Sequence, residues 1–187
     1  MIPQEAKKLL DEMTQNINLR RHGYAVAAIM RALALHFGED EDLWETAGYL
    51  HDADYEMFKD DPKKHPSKIF DILKTYHVDG RIPQAILSHA WGWREDIPEP
   101  KTRLDWSLFA CDELSGLITA CALVRPEKKL ALVTTHSVLK KFPQKSFAAG
   151  ALREHILYCE EKLGMKLSDF IDLALHAMQE HHEELGL

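Results

Sequence analysis

Residues 102–124, TRLDWSLFACDELSGLITACALV, are apolar on nearly every side of the helix they would form. Such a helix needs neighbours all round, so the rest of the chain has to supply a shell about it. Thr102 and Asp105 are spaced as a capping box at its start. Residues 3–16 and 19–36 place apolar side chains at three- and four-residue intervals, in the second case Leu19, Val26, Ile29, Leu33 and Phe37. GEDED sets acidic residues at the positive end of a helix running through Trp44, Ala47 and Leu50. Short helices follow, one opened by His65-Pro66 and one over residues 81–90; after the central helix come others near 134–141, 147–163 and 168–185. WGWREDIPEP reads as a loop, strand-like alternation is nearly absent, and no internal repeat or linker stands out. At 187 residues and 45% hydrophobic, the chain is expected to be one all-α domain over residues 1–187.

Inside the most apolar helix stands Asp112, on a face shared with Leu108, Ser115 and Thr119. A carboxylate there has to be paired, hydrogen-bonded or bound to a cation. A second oddity is AGYLHDADYE, where a helix ends on His51 followed by Asp52. Adjacent helical residues point about 100° apart, so both can serve one small target only at a helix end. His22 shares a face with Leu19, Val26 and Ile29. His22, His51, Asp52 and Asp112 together make a set of two imidazoles and two carboxylates. That set suits a divalent transition metal (zinc, iron, manganese, cobalt or nickel) held by imidazole and carboxylate, as opposed to a soft thiolate-type site. His65 and His89 would add two ligands for a second metal with Asp52 bridging, and two metals about 3.5–4 Å apart clamp a displacement at phosphorus. Each histidine also has a plainer reading: His22 as a hydrogen-bonded core residue, His65 as a helix cap before proline, His89 at the negative pole of its helix.

The net charge of −7 argues against a general nucleic-acid binder, and none is expected as a partner. Between positions 125 and 145, however, six Lys/Arg face one acidic residue. That segment could meet an anionic small molecule, or be an exposed linker of solvated lysines. No apolar stretch is expected to reach membrane-spanning length, and the N-terminus is amphipathic rather than signal-like. Cys111, Cys121 and Cys159 form no CxxC pair and read as reduced thiols in a cytoplasmic core.

Taken in order, His22, His51-Asp52 and Asp112 resemble the HD superfamily, metal-dependent phosphohydrolases with an all-helical core. CDELSGL, ALVRPEKKL and VLKKFPQKSFAAG look like a bacterial and archaeal subgroup of small HD hydrolases. The resemblance covers about residues 18–125 as the metal-binding core, with helices of 130–187 packing on it. It implies His22, His51, Asp52 and Asp112 as ligands of the primary metal and His65 and His89 as the extra pair of dinuclear members. Dinuclear members often carry a Lys three positions after the Asp, where this chain has Tyr55, and the Gly-Tyr-Pro motif of cyclic-di-GMP enzymes is absent.

The implied reaction is hydrolysis of a phosphoester, with a nucleotide as substrate, by metal-activated water. Asp52 and Glu56 are the candidate catalytic groups, with Glu113 as another proton carrier. Arg20, Arg21, Arg94, Arg125, Lys140 and Lys145 are candidates for holding phosphate, and Trp91 and Trp93 for stacking on a base. Two rivals remain open: a mixed-valent di-iron oxygenase of the same superfamily, and a non-catalytic nucleotide-binding regulatory domain. The basic region could also face a second subunit of a homo-oligomer.

Overall fold

The computed structural model describes residues 1–187, which form ten α-helices and no strands. These are α1 (Pro3–Met13), α2 (Ile17–Phe37), α3 (Glu41–Leu50), α4 (Lys68–Leu73), α5 (Arg81–Ser88), α6 (Arg103–Leu123), α7 (Thr135–Lys141), α8 (Arg153–Leu163), α9 (Leu167–Glu180) and α10 (His182–Leu185). One continuous hydrophobic core runs from Ala6 to Leu185. α6 is the helix that the others surround: α2, α3, α5, α7, α8 and α9 all pack on it. Its Leu108, Leu114 and Leu117 are fully buried, as the nearly uniform apolar pattern requires. Thr102 and Asp105 form the expected capping box. Asn16 and Asp40 cap α2 and α3 with their side chains, each accepting a first-turn backbone N–H.

One expectation about α6 is corrected. By length and composition it is apolar enough to cross a membrane, because Asp112 and Glu113 are the only charges in its last two-thirds. Here 67% of that apolar window is buried inside the protein, so its hydrophobic surface is taken up by the core. Cys111, Cys121 and Cys159 are all buried and unpaired.

Several boundaries differ from the pattern in the sequence, each for a local reason. α1 stops at Met13 because Thr14 is extended and its hydroxyl donates to the Ala53 carbonyl. His65-Pro66 does not open α4; Ser67 occupies its N-cap, and His65 is drawn into the interior instead. α8 begins only at Arg153, whose guanidinium donates to the carbonyls of Phe142, Phe147, Ala148 and Ala151 and so ties residues 142–151 into a loop. The last helical stretch breaks at His181 into α9 and α10.

The packing that matters most for the site is between α2 and α3, the most extensive of any helix pair. The two backbones approach at Gly48, where an added Cβ would lie 2.6 Å from Ala27 Cα and 2.8 Å from Ala27 N. Those are main-chain atoms that cannot rotate away. Gly48→Ala is therefore expected to wedge α3 off α2 and cost about 1–3 kcal/mol, read as a lower midpoint in urea denaturation with the slope unchanged.

Candidate metal centre

Four helices and one turn deliver six side chains to one place. His22 comes from the second turn of α2, and His51 caps α3 with Asp52 directly after it. His65 precedes α4, His89 caps α5, and Asp112 lies mid-way along α6. Nε2 of His22 is 3.2 Å from Nε2 of His51 and 2.9 Å from Asp112 Oδ1. His51 Nε2 is 3.6 Å from the same Asp112 oxygen. A second group stands alongside, with the Nε2 atoms of His65 and His89 3.1 Å apart. Asp52 faces both groups: Oδ2 lies 3.6 Å from His22 and His51, and Oδ1 lies 3.1 Å from His65 and 3.4 Å from His89.

What turns the imidazoles inward is visible at their other nitrogens. His51 Nδ1–H donates to the Gly48 carbonyl at 2.7 Å and His89 Nδ1–H to the Ile86 carbonyl at 2.5 Å. His65 Nδ1–H donates to Asp54 Oδ1 at 2.6 Å. His22 Nδ1 meets Ser115 Oγ at 3.1 Å; that hydroxyl donates to the Asp112 carbonyl, so it is left as an acceptor for the His22 N–H. With all four Nδ1 atoms acting as donors, every Nε2 of a neutral ring presents a lone pair. Lone pairs facing each other at 3.1–3.2 Å repel unless a cation or proton sits between them. Imidazoles fixed through Nδ1, interleaved with carboxylates, are the donor set of a divalent metal site, and the residues fit that group.

The electrostatics agree. Burial alone disfavours charge on His51, yet the Asp52 and Asp112 carboxylates raise its pKa from 6.5 to about 9. His65 is likewise raised to about 9, against burial, by Asp52 and Asp54. Asp52 and Asp112 are held well below the usual carboxylate range, burial opposing and the surrounding imidazoles prevailing. A cluster that captures protons this firmly is one that a metal would enter by displacing them.

The other candidates separate cleanly. Glu56 does not point at the cluster; its carboxylate accepts the Gln15 and Asn16 amides and fastens the α1–α2 junction. Arg20 serves the same junction, donating to the Thr14 carbonyl at 2.5 Å. Both had looked free because the sequence does not reveal that junction's backbone needs. Arg94 is paired with Asp96 and donates to the Lys63 carbonyl. Lys140 and Lys145 are exposed, Arg125 lies past the end of α6, and none of the three borders the cavity beside His22. Glu113 accepts the Leu152 amide and lies 3.4 Å from His155. Trp91 is packed among Trp106, Phe109 and Tyr158, whereas Trp93 is 42% exposed and stands beside His65 and Tyr55. Arg21 lines the cavity with His22.

Two partners escaped the sequence reading, Asp54 and Ser115. Asp54 is fully buried, with its second oxygen accepting the Ile69 amide at 2.9 Å. Its signal was the second carboxylate of HDAD, but helical periodicity ends at Leu50 and gave it no face to belong to. Asp54→Asn keeps an oxygen in place yet removes the charge behind His65. It is expected to weaken metal binding at the His65–His89 group by about 10- to 100-fold in a chelator-competition titration, and to leave the His22–His51–Asp112 group unchanged.

Comparison with protein-family models matches the HD domain over residues 19–117. A comparison with curated proteins gives no match. The matched span takes in all six side chains and the central helix as far as Leu117. HD domains are a metal-dependent, hydrolase-type superfamily, and this chain, matched over more than half its length, belongs to the HD domain family.

Proposed function

We propose that the protein is a metal-dependent phosphohydrolase that binds two divalent transition-metal ions (iron, manganese, zinc, cobalt or nickel) and cleaves a phosphoester, with a nucleotide as substrate. The observation that carries this reading is Asp52, which turns Oδ2 to one imidazole pair and Oδ1, at 3.1 Å and 3.4 Å, to the other. Two cations sharing one carboxylate make a clamp suited to both the attacking and the leaving oxygens of an in-line displacement. When bound, such a pair supplies a water of lowered pKa and neutralises charge that builds on the phosphoryl oxygens.

The rest is done by the chain itself. His22, His51 and Asp112 would hold one metal and His65 and His89 the other, with Asp52 serving both. The Nδ1 hydrogen bonds keep these rings from rotating, so little reorganisation is needed as charge develops. Asp52 and Asp112 retain side-chain exposures of 17% and 26%, and this is the side from which a phosphoryl group reaches the cluster. The nucleotide reading is supported by Trp93, an exposed aromatic face next to His65 on which a base can stack.

The test is a panel of phosphoesters offered to protein purified without oxygen and loaded with each metal in turn. Phosphate release that needs metal and proceeds without dioxygen is the expected result. Dioxygen consumption with C–C or C–P cleavage would instead establish the oxygenase, and nucleotide-dependent thermal stabilisation with no product would establish a regulatory domain.

A further inference from the structure

A cavity of about 410 Å³ opens beside the ligand cluster, with His22 in its wall. Asn18 and Arg21 of α2, Thr119 of α6, and Leu185 and Gly186 at the end of α10 border it. The volume sits at the small end of ligand pockets, about 300–1,000 Å³. No acidic side chain and no Phe, Tyr or Trp lines it.

Arg21 is the unusual member. Its Nε is buried and has no hydrogen-bond partner. Its guanidinium lies against Gly186, where an added Cβ would come within 2.2 Å of Nη2 and 2.4 Å of Cζ. Glycine is needed there twice over, for that contact and for a φ of +69°. The neighbouring arginines differ: Arg20 is tied to the Thr14 carbonyl and Arg94 to Asp96. Arg125 shares the buried, unpartnered Nε but borders no part of this cavity. A partly desolvated guanidinium with no partner of its own, on the wall of a cavity that contains a metal-ligand histidine, is stabilised by an anion that arrives with the ligand.

Resting on the hydrolase reading above, we infer that the part of the substrate entering this cavity carries a second oxyanion, a carboxylate or a phosphate, which Arg21 binds. The phosphoryl group to be cleaved lies at the ligand cluster. A base, where the substrate has one, is placed on the Trp93 side, where an exposed indole face stands beside His65. Thr119 and Asn18 are the other polar side chains in the cavity wall besides His22 and Arg21.

The experiment uses metal-loaded protein and matched pairs of phosphoesters that differ only in the second anion. One arm compares a nucleoside bisphosphate with the monophosphate, and the other a phosphorylated hydroxy acid with its neutral methylamide. In the wild type the second anion is expected to raise kcat/KM about 10- to 100-fold, chiefly through KM, and the arm that responds identifies the anion. Arg21→Gln loses that advantage, so that kcat/KM for the two members of each pair becomes about equal. Gly186→Ala, which displaces the guanidinium without removing it, shows the same loss. An advantage absent in the wild type, or intact in Arg21→Gln, overturns the inference, as does an equal loss for both members of each pair. Calorimetric Kd values for the non-hydrolysable phosphonates keep the two readings apart. Discrimination in Kd without turnover of any ester overturns the hydrolase and leaves the anion site standing.

Discussion

Asp52→Ala is expected to bring the metal content below one ion per chain and to lower phosphoester turnover by about a thousandfold or more. Asp52 is the one side chain within 3.6 Å of all four imidazole Nε2 atoms, so its loss takes a carboxylate from both groups at once. A metal pair supplies several kcal/mol of transition-state charge stabilisation, and each 1.36 kcal/mol is a factor of ten in rate. His89→Ala, which touches one group only, should cost one ion. Elemental analysis and steady-state kinetics on the two variants check this, and an Asp52→Ala protein that keeps two ions would refute the shared-carboxylate geometry.

Stripping metal with a chelator is the second large effect. A ligand held at a hundred times its Kd stabilises the folded state by about 2.7 kcal/mol per site. For a chain of this size that moves Tm by roughly 5–10 °C per site. The size of the shift depends on pH in a definite direction. In the stripped protein His51 and His65 have pKa values raised from 6.5 to about 9, so their contribution is complete below pH 6.5 and is lost as pH rises through 9. Metal binding runs the other way, since protons compete with it less as pH rises. The Tm gap between loaded and stripped protein is therefore expected to widen from pH 6.5 to 9. Calorimetric scans at several pH values measure it, and a gap that narrows over this range would contradict the reading.

The parts of this molecule legible in its sequence are those that strong local physics dictates. α6 had to be central because nearly every side of it is apolar, and Asp112 within it had to find a cationic or hydrogen-bonding partner. His22 and the His51-Asp52 pair stood out because each was a polar residue on or behind an apolar face. Asp54 and Ser115 did not, since their roles follow from where a turn and a neighbouring helix end up in space. The same holds for Glu56 and Arg20, whose charges suggested chemistry while the backbone of residues 14–16 claimed them. The late start of α8 is of this kind too: helical periodicity cannot reveal that one guanidinium will gather four carbonyls.

His22, His51 and Asp112 on one side, and His65 and His89 on the other, are proposed to hold one cation each, with Asp52 shared between them. The most direct measurement is metal per chain by mass spectrometry of the purified, metal-reconstituted protein, repeated for His89→Ala. Two equivalents falling to one is the predicted result; one equivalent in both proteins, or none, would contradict it.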